Sequence, residues 1–133
     1  MTQIIDDFSG EYDFLSNDYP SRIGLSQTSK NYNTVNEAFS ALCDHYASLH
    51  LPMYRIYDMN DLIMDKFLSY PELAERLIAT GNAVIYAPGN DELFSFCDGE
   101  GQNKLGIILM GVRETLYYRF FHEDDDHGRG ISA

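Results

Sequence analysis

Apolar residues recur at helical spacing in four stretches of the chain. Within 34–50, Val35, Phe39, Leu42 and Tyr46 fall on one face at steps of three and four. Thr34, with Glu37 three residues on, forms a capping box that starts this helix, and Pro52 ends it. A shorter helix over 60–68 turns Leu62, Ile63 and Phe67 inward. A third opens at Pro71, a residue suited to the first helical position, and buries Leu73, Leu77 and Ile78. Gly81 closes it as a left-handed cap. The fourth carries Leu105, Ile108, Leu109, Val112 and Leu116 on one stripe and runs to about Phe121, with Asn103 as its N-cap.

Between the helices the period shortens. Residues 8–20 alternate aromatic and polar side chains around Gly10, which predicts a short strand and turn with Phe8, Tyr12 and Phe14 in the core. Residues 21–33 carry no period and read as a second short strand or a loop. Residues 83–86 read as a buried strand, and 88–91 turn the chain before Leu93, Phe94 and Phe96. This pattern predicts a compact, helix-rich α+β domain over 1–121. The acidic run after it, 122–133, predicts a flexible, solvated tail whose His122 and His127 lack the rigid surroundings a metal ligand needs.

Charge narrows the partners. The net charge is −12 and the nine Lys and Arg are scattered singly, so no basic patch offers to displace counterions from a nucleic-acid backbone. Stable duplex binding is therefore not expected, although a pocket that reaches one modified nucleotide stays open. The acidity reads as solubility or, alternatively, as mimicry of nucleic acid towards a protein. Cys43 and Cys97 form no metal spacing, and each reads as a buried small hydrophobe. Residues 1–10 lack the basic start and apolar run of a signal peptide, and no apolar stretch is long enough to span a membrane; the expectation is a cytoplasmic protein with no membrane partner.

Candidate chemistry gathers at loop ends. In GEGQNKLGIILMGVRETL (99–116), Gly99 and Gly101 bracket Glu100 ahead of the last helix. A glycine-rich turn entering a helix offers uncommitted N–H groups and the positive end of a helix dipole, which suits a phosphate, a carboxylate or the polar edge of a nucleotide. Glycine before a helix is common, and a plain structural turn is the reading the segment favours when taken alone. Ser16 and Asn17 stand where the first strand ends, a usual place for functional polar groups.

FSGEYDFLSN (8–17), YNTVNEAFSA (32–41), LAERLIATGNAVI (73–85) and GQNKLGIILMGVRETL (101–116) come in the order and spacing of the NADAR family, which this chain resembles from about Phe8 to Leu116. The resemblance implies a YbiA-like fold and an N-glycosidase that hydrolyses a ribosyl C–N bond. The substrates it implies are phosphorylated ribosylamino-pyrimidines or ADP-ribose attached to guanine. Family members of the second kind act as antitoxins or phage counter-defence, which would place the protein in a host cytoplasm. Breaking such a bond passes through an oxocarbenium-like state that a carboxylate must stabilise. The family's acid in the first helix aligns with Asn36, and an acid follows one step later at Glu37, about a hundred degrees round the helix. The family's lysine falls at Cys43, and its Trp-Gly pair at Phe94-Ser95. Asp91 matches the family's aspartate. The resemblance thus nominates Asp91 and Glu37 as catalytic carboxylates, each with a capping role as the alternative. It nominates Glu11, Ser16, Asn17, Asn36, Phe94, Gly101 and Asn103 as the groups that hold a nucleotide or ADP-ribosyl conjugate. It implies no metal and no organic cofactor. The departures at Asn36 and Cys43 leave a second reading, a catalytically impaired binder that sequesters an ADP-ribose-like nucleotide, and the acidic mimic is a third.

Overall fold

A computed structural model describes residues 2–122. Strand β1 (Ile4–Ile5) is followed by a 3-10 helix (Gly10–Leu15) and by the hairpin of β2 (Ile23–Leu25) and β3 (Lys30–Tyr32). Helices α1 (Val35–Ser48), α2 (Arg55–Ser69) and α3 (Pro71–Ala79) come next, then β4 (Val84–Ile85) and α4 (Lys104–Tyr117), which continues as a π-helical turn (Tyr118–His122). β1 and β4 pair in parallel, Ile4 with Val84 and Ile5 with Ile85; β2 and β3 pair antiparallel. The fold is a compact, helix-rich α+β single domain, as the periodicity predicts. The acidic residues 123–133, His127 among them, lie outside the described residues.

α4 is the centre. Leu105, Ile108, Leu109, Val112 and Leu116 are all buried, and the helix packs against α2, α3 and β4. Gly106 lets it sit directly on β4: a Cβ there would collide with the Ile85 carbonyl oxygen and the Asn103 amide. Gly81 follows α3 with φ +65°, the left-handed cap its position predicts.

Three expectations are corrected. The segment 8–20 forms no strand: Phe14 and Leu15 are consecutive and both buried, which alternation forbids and a tight helical turn permits. Arg76 of α3 ties this turn down, donating to the Glu11 carbonyl at 2.8 Å with its guanidinium 4.2 Å from the Phe14 ring centre. α2 starts at Arg55 rather than near residue 60, because most of its first turn faces solvent and carries no apolar stripe. Cys97 is exposed on a turn whose backbone pairs with Glu100; only Cys43 is half-buried, and burial raises its thiol pKa, with Asp44 and Asp58 adding to the rise and Arg55 opposing it. No helix among the described residues is long and apolar enough to cross a membrane.

Candidate functional site

Lys66 sets the geometry of the first loop. It is 1% exposed in the last turn of α2, and its Nζ donates to the carbonyls of Phe14 (2.7 Å) and Ser16 (3.0 Å). Burial pulls its pKa down from 10.5 to about 8, with Asp13 opposing. Held from beneath, residues 16–18 present their side chains to a cavity of about 450 Å³.

Ser16, Asn17, Asn36, Asp91 and Phe94 line that cavity together. Asn36, in the first turn of α1, cross-links the loop twice. Its backbone N–H donates to the Asn17 carbonyl (3.0 Å), and its Nδ2 donates to Asp18 Oδ1 (2.6 Å). Asn17 is 8% exposed; its Nδ2 reaches only Met59 Sδ at 3.5 Å, and its buried Oδ1 has no hydrogen-bond partner among the described residues. A buried amide oxygen without a donor costs on the order of 1–3 kcal/mol, so it marks where a ligand donor belongs. Asp91 Oδ1 accepts from the backbone N–H groups of Leu93 (2.9 Å) and Phe94 (2.8 Å), a cap that fixes the 91–95 turn.

Glu37, Glu11, Gly101 and Asn103 stand outside the lining of this cavity. Glu37 is exposed, one step round α1 from Asn36, and its N–H donates to Thr34 Oγ1 (3.1 Å) in the predicted cap. Glu11 is exposed on the 3-10 helix. Gly101, at φ +106°, allows close approach to Ser95, whose carbonyl oxygen a Cβ would strike. Asn103 precedes α4 in the left-handed region (φ 54°) without capping it through its side chain. Its Oδ1 instead accepts from Ala87 N–H (2.8 Å) and its Nδ2 donates to the Ile85 carbonyl (2.9 Å), sealing α4 to the end of β4.

The expected amide cradle before α4 is likewise corrected. The N–H groups of Gln102, Asn103, Lys104 and Leu105 donate to the carbonyls of Glu92, Ser95, Leu93 and Phe94 at 2.9–3.0 Å. The 92–95 segment folds back and consumes the donors that a bare helix start would offer an anion.

The positive group in the cavity is Arg55, which periodicity did not single out. Its guanidinium lies 5.2 Å from the Phe94 ring centre and 5.9 Å from that of Phe39, and these two rings meet edge to face at 5.7 Å. Arg55 and Met59, four apart on α2, both line the wall. Asp7 and Asp18 add two further carboxylates to Asp91. The one sequence cue to Asp18 was its place beside Ser16 and Asn17, and Lys66 was not singled out by the pattern of apolar residues. A larger cavity of about 730 Å³, lined by Ile78, Arg113 and Tyr117 among others, gathers none of the nominated residues.

These features define a small α+β protein with a polar, carboxylate-bearing cavity between two loops and the starts of α1 and α2. The fold is that of YbiA: the NMR structure of the E. coli protein matches with a TM-score of 0.69 over 90% of this chain and 88% of that one, at 22% identity. A riboflavin biosynthesis protein of Vibrio vulnificus (strain YJ016) is 39% identical over 64 residues, which are 47% of this chain and 17% of that protein's length. The chain thus spans about a sixth of that relative. No family model matches. The resemblance to YbiA-like NADAR proteins drawn from the four sequence segments holds at the level of the fold.

Proposed function

We propose that this protein is an N-glycosidase that hydrolyses a ribosyl or ADP-ribosyl C–N bond. The observation that carries the reading is the orphaned Asn17 Oδ1, in a cavity that also holds carboxylates and the Arg55 guanidinium. The amide oxygen accepts from a ribose hydroxyl. Arg55 faces the phosphate of the conjugate, a role the occupied amides before α4 cannot take. Phe94 and Phe39 form a wall for the base or sugar. The ribosyl C–N bond breaks with its electron pair leaving on nitrogen, water adds to the ribosyl carbon, and a cavity carboxylate takes the water's proton, which ends on the departing nitrogen. The substrates are phosphorylated ribosylamino-pyrimidines or guanine-linked ADP-ribose; with the latter the protein acts in the cytoplasm as an antitoxin-like or counter-defence factor.

The test is incubation with NAD, ADP-ribose, a ribosylamino-pyrimidine phosphate and ADP-ribosylated guanine DNA, followed by chromatography of the products. Released base or free ADP-ribose supports hydrolysis. A second reading, a binder that sequesters an ADP-ribose-like nucleotide, is favoured by Asn36, an amide that aligns with the family's first-helix acid. A raised thermal midpoint with no released product selects it. Neither binding nor cleavage rejects both readings and leaves the acidic mimic, which binds a protein in a salt-sensitive manner.

A further inference from the structure

We propose that Asp18, rather than Asp91, is the carboxylate that serves the reacting carbon, and that Asn36 is its positioning residue; this rests on the glycosidase reading above. The two acids share one cavity but are engaged differently. Asp91 spends Oδ1 on two backbone N–H groups at 2.8 and 2.9 Å, so its carboxyl closes the 91–95 turn. Asp18 caps nothing. Its Oδ1 accepts one bond, from the Asn36 side-chain amide at 2.6 Å; like Asp91 it keeps its second oxygen unbonded among the described residues, but it does so while lining the cavity with no turn to close.

Asp18 is also the better placed. It adjoins Asn17, whose unpartnered amide oxygen marks where a sugar hydroxyl sits. Its own N–H donates to Ser16 Oγ (3.0 Å), and the Lys66 ammonium grips the Ser16 carbonyl from the core side (3.0 Å). Asn36 clamps both Asn17 and Asp18 from α1. Asp18 is thus tied through its backbone N–H and through one carboxylate oxygen, on a loop that Lys66 anchors, which holds it near its working geometry before substrate arrives. In the reaction the second Asp18 oxygen takes the proton from water as that water bonds to the ribosyl carbon. The C–N electron pair leaves on the base nitrogen, which then collects the proton, and Asp18 ends ionised as it began. Asn36 is uncharged, so it orients the carboxylate without the repulsion a second acid would bring.

The experiment compares the full-length protein with Asp18→Asn, Asp18→Glu, Asp91→Asn, Asn36→Ala and Asn36→Gln. Each is assayed on ADP-ribosylated guanine DNA and on a ribosylamino-pyrimidine phosphate, with thermal midpoints recorded alongside. Asp18→Asn is expected to lower kcat by about 10²–10⁴-fold with KM within about threefold and the midpoint retained. Asp18→Glu, which keeps the charge but shifts it by a methylene, falls between. Asp91→Asn chiefly lowers the midpoint and costs kcat less than a tenth as much as Asp18→Asn. Asn36→Ala lowers kcat about tenfold at constant KM, and Asn36→Gln, which keeps an amide donor, recovers part of that loss. An Asp18→Asn protein that retains more than a tenth of the wild-type kcat overturns the assignment alone, as does full activity in Asp18→Glu. A wild-type protein that cleaves neither substrate overturns the glycosidase reading and the assignment with it.

Discussion

Replacing Lys66 by Met separates the charge of this buried lysine from its bulk. The ammonium carries three N–H donors, and two carbonyl oxygens, those of Phe14 and Ser16, receive them at 2.7 and 3.0 Å. The surplus donor lies among aromatic faces, with the ring centres of Phe67 and Tyr19 at 5.2 and 5.6 Å from Nζ. The neutral amine has two N–H groups and matches the two acceptors. Burial accordingly lowers the folded-state pKa to about 8 from 10.5. Because the folded value lies below the unfolded one, the unfolded chain holds the extra proton between these two values. Stability from this group is therefore present in full above pH 10.5 and is lost as pH falls through 8. At 1.36 kcal/mol per unit the window amounts to about 3 kcal/mol. Urea unfolding of wild type and Lys66→Met from pH 7 to 10.5 measures it. The wild-type-minus-variant difference should climb by about that amount, a relative midpoint shift of about 1–3 M at ordinary denaturant sensitivities. The ten tyrosines titrate in the same range but are common to both proteins, so the difference isolates Lys66. A difference that stays flat or falls with pH shows that the buried ammonium of Lys66 is not held at a cost.

Asn103→Ala removes two buried hydrogen bonds and strands the Ala87 N–H and Ile85 carbonyl, so urea unfolding should show a loss of about 2–4 kcal/mol. Gly106→Ala forces a Cβ into the Ile85 carbonyl oxygen, and its destabilisation of about 1–3 kcal/mol should appear as a lowered thermal midpoint. Arg55→Leu removes the cavity's guanidinium from an exposed position. Calorimetric titration with ADP-ribose should show affinity weakened about tenfold or more, an effect that shrinks with added salt, while the unfolding midpoint barely moves.

The helices are legible in the chain alone, because a 3.6-residue period of apolar side chains is local and survives any later packing: the α4 stripe is buried throughout, and those of α1 and α3 are buried at Val35, Leu42, Leu73 and Leu77 and half-buried at Phe39, Tyr46 and Ile78. The sequence also brought out Ser16, Asn17, Asn36, Asp91 and Phe94, which the fold gathers round one cavity from three separate segments. Which polar groups stay available depends on the packed chain. The amides before α4 look open in a linear reading, yet the carbonyls of 92–95 fold back and take them, and Asn103 turns sideways onto β4. Arg55 has no local signature, since only the packing of α2 beside the loops brings its guanidinium over Phe39 and Phe94. Hydrophobic burial is written in the spacing of neighbours along the chain. Hydrogen-bond satisfaction is settled between residues far apart in it, so an unspent donor or acceptor is visible only once every competitor has been placed.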